Sequence, residues 1–267
     1  MRVLLIALLA ARAAAPGPAQ QPTTTTPAAA WTPAEEERFL LTAQVEDVDP
    51  AGKGITGSLK AMLSDGMREH AAHIQSVDLY MPLFRGRDGS EEREFKDTWK
   101  FNVAAYRLAR LLHLTYMVPV SVARPFQDKP SAFTWWVDGV TMDERERLAR
   151  RVEPPDAGRW NAYMETIRVF DQLIFNTDRS QENLLITKDW SVWMIDHTRA
   201  FRIWPVLRNA RAVTGCNPQL LRWLKALDRG EVAAAMGDLL TAEEIDGLMA
   251  RRDLILGRLE EQGAAGW

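Results

Sequence analysis

FDQLIFNTDRSQENLLITKDWSVWMIDHTRAF, running from Phe170 to Phe201, sets Asp178, Asn183 and Asp196 between apolar runs. It is either a phosphoryl-transfer centre or a polar turn joining a buried helix to a hairpin. The amphipathic AGRWNAYMETIRVFDQLIFN predicts a helix entering it, and ENLLI and WSVWMID read as short strands around a TKDW turn. A hairpin returns its far end towards its start, so Asp196 is expected to face Asn183 across one small cleft.

Phosphoryl transfer asks for a carboxylate near the acceptor hydroxyl, hard oxygen ligands for a divalent ion, and groups that hold phosphates. One carboxylate and one amide, Asp196 and Asn183, suit such an ion and leave Asp178 free as a base. Each residue also has a structural reading. Asp178 can cap a turn, Asn183 can satisfy loop backbone, and Asp196 can pair with Arg199 or Arg202. Those two arginines otherwise balance phosphate charge.

Working outward, FLLTAQVEDVD (Phe39 to Asp49), SLKAML and REHAAHIQSVDL read as three strands. The glycine-rich PAGKGITGS and the tight SDG turn join them into a β-meander. RGRDGSEER is expected to be a charged loop, and FKDTWKFNVAAYRLARLLHL (Phe95 to Leu114) a helix. KPSAFTWWVDG (Lys129 to Gly139) reads as a strand, after which the chain is expected to be largely helical. NPQLLRWLKALDRG and TAEEIDGLMARRDLILGRLEEQ close the chain as helices capped by Asn217 and Thr241. The pattern is α+β, with a small β-rich lobe over residues 35–137 and a mainly helical lobe with an embedded hairpin over 138–267.

Net charge is −3 and the pI about 5.9, with acidic and basic residues interspersed, so no global field favours nucleic acid. The single Cys216 excludes an internal disulfide and a cysteine-rich metal site, and the four histidines show no metal-ligand spacing. MRVLLIALLAARAAAPGPAQ has a basic start, a short apolar run and small residues, the layout of a signal peptide over residues 1–19. The apolar run is too short to cross a membrane. QQPTTTTPAAA belongs to a low-complexity linker over 20–34. Export to a periplasmic or secreted location is the expectation.

The catalytic stretch, taken with its flanks, resembles the atypical kinases: phosphoinositide 3/4-kinase-like, HipA-like and secretory-pathway kinases. The resemblance implies a two-lobed protein-kinase-like fold that binds a nucleotide, ATP, with Mg²⁺ (or Mn²⁺) and acts on a hydroxyl-bearing substrate. It makes Asp178 the catalytic aspartate and Asn183 and Asp196 the metal ligands. PAGKGITGS then matches the phosphate-covering loop, with Gly52, Gly54 and Gly57 admitting backbone amides to phosphate. FTWWVDG matches the hinge, with Trp136 and Val137. The chain departs from the pattern at Gln75, where the phosphate-binding lysine is expected, and at Asn102, where its glutamate partner is expected. Ser180 likewise replaces the usual histidine of the catalytic loop. Lys60 on the neighbouring strand, or Lys53 in the loop, is the alternative phosphate grip. Without one, the resemblance implies a pseudokinase that binds a partner, and adenylylation is a further alternative.

Overall fold

The computed structural model describes residues 31–51, 57–86 and 89–263. The leader, nearly all of the linker, and Gly52, Lys53 and Gly54 lie outside the described residues. Helix α1 (Pro33–Thr42) opens on a capping box: Thr32 Oγ1 accepts from Glu35 N–H at 3.3 Å, and Glu35 Oε2 accepts from Thr32 N–H at 2.8 Å. This corrects the strand expected from Phe39, because strand β1 begins only at Gln44 (Gln44–Pro50). Phe39 and Leu40 are adjacent and both buried while Leu41 is exposed, which is a helical face rather than strand alternation.

Strands β2 (Leu59–Ser64) and β3 (Glu69–Gln75) complete the expected meander, and β3 stops at Gln75 rather than running to Leu79. The expected charged loop is instead the tip of a hairpin, β4 (Asp78–Arg85) with β5 (Glu91–Thr98). Phe95 therefore lies in a strand, stacked on Phe84 at 4.4 Å, and helix α2 begins at Lys100 (Lys100–Leu111). Its position four residues before Trp99 mimics helical spacing, which is why the pattern misled. Strand β6 (Ser121–Ala123) and the short β7 (Ala132–Trp135) finish an antiparallel sheet ordered β1-β2-β3-β7-β6. Helices α1 and α2 pack on its β6–β7 end.

A further strand, β8 (Val140–Asp143), stands where helix was expected and joins the embedded hairpin. Helices α3 (Glu144–Arg150) and α4 (Ala157–Leu173) precede that hairpin, β9 (Leu184–Thr187) with β10 (Val192–Met194). The closing helices are α5 (Pro218–Ala226), α6 (Arg229–Met236) and α7 (Ala242–Glu261). The Asn217 and Thr241 caps form as expected, Thr241 within a capping box. Among the described residues no helix is long and apolar enough to cross a membrane.

Two polar features tie these parts together. Strand β5 reaches the helical half through Lys96 on buried Glu244 at 2.5 Å, Glu92 on Arg202 at 2.5 Å, and Asp97 on Arg199 at 2.8 Å. On α1, burial and the nearby Asp138 charge push the Glu36 carboxyl up to about 7. Asp138 Oδ2 also lies at hydrogen-bond distance, 2.8 Å, from His70 Nε2. The folded chain therefore holds a proton that the unfolded chain releases. The associated stability is present below pH 4.5, the ordinary value, and is lost as pH rises through about 7. Urea midpoints at pH 5 and pH 8 are expected to differ more for wild type than for Glu36→Gln; equal differences contradict the assignment.

Candidate active site

The loop after α4 is held by one buried staple. Arg179 Nε donates to Asp171 at 3.0 Å, while its Nη1 donates to the Asn183 carbonyl at 3.1 Å and the Ile195 carbonyl at 2.7 Å. Ile195 N–H donates to the Asn183 carbonyl at 3.0 Å, so the two hairpin ends stand level. The hairpin arithmetic read from the sequence thus holds: Asn183 and Asp196 line the same cavity, ≈ 320 Å³ in volume.

The roof of that cavity follows from sheet register. Lys60, His73, Thr134 and Ser121 are cross-strand partners in β2, β3, β7 and β6, and directly opposed residues share a face. Ser121 Oγ and Thr134 Oγ1 are 2.8 Å apart, and these two with His73 line the cavity. Lys60 shares this face, but its ammonium is parked 4.5 Å from the centre of the Trp136 ring. His73 carries no role in the sequence reading. Burial lowers its pKa while the Asp196 charge opposes the shift, placing an uncharged imidazole near the metal-ligand candidate. Only the register of β3 against β2 and β7 reveals it.

Gln75 and Asn102 also line the cavity, both buried. Gln75 Oε1 accepts from Val77 N–H at 3.0 Å where the chain leaves β3. Asn102 Oδ1 accepts from His197 N–H at 2.8 Å, tying α2 to the residue after Asp196. His197 is fully buried, edge-on to Phe170, and burial holds its pKa well below the usual range. It packs as a neutral ring. Trp136 and Val137 line the cavity as well, and Trp136 N–H donates to the Ala71 carbonyl at 3.2 Å. Among the described residues the Val137 N–H has no acceptor. Ala51 and Ser58, joined by an N–H to carbonyl bond of 2.9 Å, line it from the ends of the glycine-rich loop. Gly57 has φ +65°, a conformation that favours glycine.

Asp178 does not line this cavity. It is half-exposed in an adjoining groove with Arg199, Arg208, Arg93, Phe175 and Trp204. Asn176 Oδ1 accepts from its N–H at 3.0 Å, and Asn183 Nδ2 donates to its carbonyl at 3.3 Å. Burial raises the Asp178 pKa; Arg199 opposes the rise, and Asp196 and Asp97 add to it. Asp178 therefore feels the charges of Asp196 and Asp97 across the boundary between cavity and groove. The alternative uses of the two arginines separate here. Arg199 pairs with Asp178 at 3.2 Å, whereas Arg202 is buried against Glu92 and the Ala200 carbonyl, removed from any phosphate role.

Asp196 has a left-handed φ of 55°, which aspartate tolerates better than most residues. Its Oδ1 accepts from Thr198 Oγ1 at 3.1 Å, and its other oxygen has no protein donor among the described residues. The Asn183 amide donates through nitrogen, leaving its oxygen available. One carboxylate and one amide oxygen suit Mg²⁺ or Mn²⁺ shared with phosphates. Among the described residues no three acidic, histidine or cysteine side chains gather as a full metal cage. Cys216 lines neither the cavity nor the groove, and burial pushes its thiol up to about 12.

Two solved structures share this architecture. Hydra Fam20, solved with a sugar, matches with a TM-score of 0.61 at 12% identity, covering 87% of this chain and 90% of that one. The fold is kinase-like. The Helicobacter pylori proinflammatory kinase CtkA matches this kinase-like chain with a TM-score of 0.52 at 10% identity, over 85% of this chain and 96% of its own. No protein-family model matches the chain, and no curated protein matches its sequence.

Proposed function

We propose that the protein is an atypical kinase that transfers the γ-phosphoryl group of ATP to a hydroxyl acceptor. The convergence of Asn183 and Asp196 in a cavity also lined by Trp136 and Val137 carries this reading. A purine fits against Trp136, with its edge on the Val137 N–H. Gly57, with Gly52 and Gly54, belongs to the loop assigned to phosphate. Asn183 and Asp196 are the residues that would hold Mg²⁺ or Mn²⁺, which supplies neutralisation of phosphate charge when bound.

The acceptor enters from the groove that holds Asp178. The acceptor oxygen bonds to Pγ as the bond from Pγ to the β,γ-bridging oxygen breaks, and Asp178 takes the hydroxyl proton; ADP leaves. Phe175, Trp204 and the arginines of the groove suit a polar molecule with flat apolar faces. The sugar held by hydra Fam20 makes a sugar hydroxyl one candidate beside a protein or lipid hydroxyl.

The second reading is a pseudokinase that binds a partner without transfer. It is favoured by Gln75 and Asn102, whose amides serve main-chain groups, and by Lys60 lying over Trp136. Calorimetry with Mg·ATP and Mg·ADP separates the two. In the kinase reading Lys60 leaves Trp136 for the phosphates, so Lys60→Ala weakens both nucleotides by about tenfold, the value of a charge-assisted contact. Wild-type affinity in Lys60→Ala removes Lys60 from the grip. No binding by wild type at millimolar nucleotide removes the kinase reading.

A further inference from the structure

We propose that Arg199 is the γ-phosphate clamp of this site, aimed by Asp97, and that it returns to the transferring end the cation that Gln75 does not supply. The inference rests on the nucleotide reading above and assigns it one further residue. Asp97 lies on β5, outside the catalytic stretch, and is buried to 3% exposure. Its Oδ2 accepts from Arg199 Nε at 2.8 Å, while its Oδ1 is buried without a partner among the described residues. A buried carboxylate half-satisfied in this way is costly unless its charge is compensated, and among the described residues the cation paired with it is Arg199.

The same guanidinium reaches Asp178 through Nη1 at 3.2 Å. Arg199 therefore bridges the carboxylate assigned as base and a carboxylate that fixes its own position. The β5 strand is locked in register with this segment, since Thr98 N–H donates to the Thr198 carbonyl at 2.9 Å. Nε and Nη1 of the guanidinium are thus committed. Its Nη2 has no protein acceptor among the described residues, and the side chain stays about one-third exposed in the groove. A guanidinium anchored through Nε and Nη1 keeps Nη2 free to donate to a phosphoryl oxygen from a fixed position.

Position decides which phosphate it meets. The transferring phosphoryl must lie between the Asp196 side, where the nucleotide is held, and Asp178, where the acceptor is deprotonated. Arg199 contacts Asp178 and senses the charge of Asp196, so it stands at the γ end and not over the α- and β-phosphates. Lys60, on the sheet roof beside Trp136, addresses the other end. The two cations therefore have separable signatures: Lys60 acts on ATP and ADP alike, Arg199 on ATP alone.

The test is the ratio of ADP to ATP dissociation constants, measured by calorimetry with Mg²⁺ on the full chain. Arg199→Ala is expected to lower this ratio by about tenfold, with ADP affinity within about twofold of wild type. Arg199→Lys restores the charge without the fork and is expected to recover only part of the ratio. Asp97→Asn, which loosens the fork without removing it, is expected to fall between wild type and Arg199→Ala. Because Arg199→Ala leaves Asp97 uncompensated and can fail to fold, the double variant Asp97→Asn with Arg199→Gln carries the same measurement without a stranded charge. A wild-type ratio in either the alanine or the double variant overturns the clamp while leaving the kinase reading intact. Equal weakening of ATP and ADP assigns Arg199 a structural role and also overturns it. No binding of either nucleotide by wild type overturns both.

Discussion

Asp196→Asn is expected to cut phosphoryl transfer by about a thousandfold while leaving the thermal midpoint near that of wild type. The substituted amide keeps the shape, the acceptor for Thr198 Oγ1, and tolerance of the left-handed φ of 55°. What it loses is the negative charge on an oxygen with no protein donor among the described residues. Arg199 and His73 sense that charge but make no ion pair with it among the described residues, so a large loss of activity with little loss of stability marks a functional role. Alanine is a poorer choice, because at this φ it adds backbone strain on the order of 1–2 kcal/mol. The assay is Mg²⁺-dependent release of ADP from ATP, followed beside a melting curve. Activity within about threefold of wild type would remove Asp196 from the metal site.

Arg251→Met is expected to lower unfolding free energy by about 3–5 kcal/mol, the largest stability effect expected here of a single change. Arg251 is fully buried on α7. Its Nε donates to the Leu173 carbonyl at 2.8 Å, and Nη1 to the carbonyls of Arg202 at 2.8 Å and Trp204 at 2.6 Å. Leu173 ends α4 immediately before the catalytic loop, and Arg202 and Trp204 follow the segment that carries Asp196 and Arg199. One guanidinium therefore fixes both stretches of chain that frame the site. Among the described residues no carboxylate pairs with it, and burial lowers its pKa to about 9. Methionine keeps the apolar stem but is shorter and strands three carbonyls, each costing about 1–3 kcal/mol, against some relief from no longer burying a charge. Denaturant unfolding measures the difference. A loss below about 1 kcal/mol would show that the carbonyls find other donors.

Much of this was legible in the sequence where local rules and tertiary packing agree. The meander, α4, the capped α5 and α7, and the β9–β10 hairpin each announce themselves by period and punctuation. So does the meeting of Asn183 with Asp196, which is hairpin arithmetic. The misses have physical causes. Helix α1 was hidden because Leu41, Ala43 and Val45 alternate, although Thr32-Pro33-Ala34-Glu35 spells the capping box that overrides them. Hairpin β4–β5 was hidden because the first half of β5, Glu91 to Glu94, carries charges that read as loop. Asp97 and His73 reach the site through β5 and β3, by approaches that only tertiary structure defines. Asp178 stands outside the cavity that Asn183 and Asp196 share, in the adjoining groove, where an acceptor rather than a nucleotide would lie.

A crystal structure of the protein with Mn²⁺ and a non-hydrolysable ATP analogue, with the metal placed by anomalous scattering, tests whether Asn183 and Asp196 hold the metal. A manganese peak is expected within coordination distance of Asn183 Oδ1 and an Asp196 carboxylate oxygen, with the purine against Trp136 and the γ-phosphate facing Arg199. A peak coordinated by neither Asn183 nor Asp196, or a nucleotide bound outside this cavity, would contradict this reading.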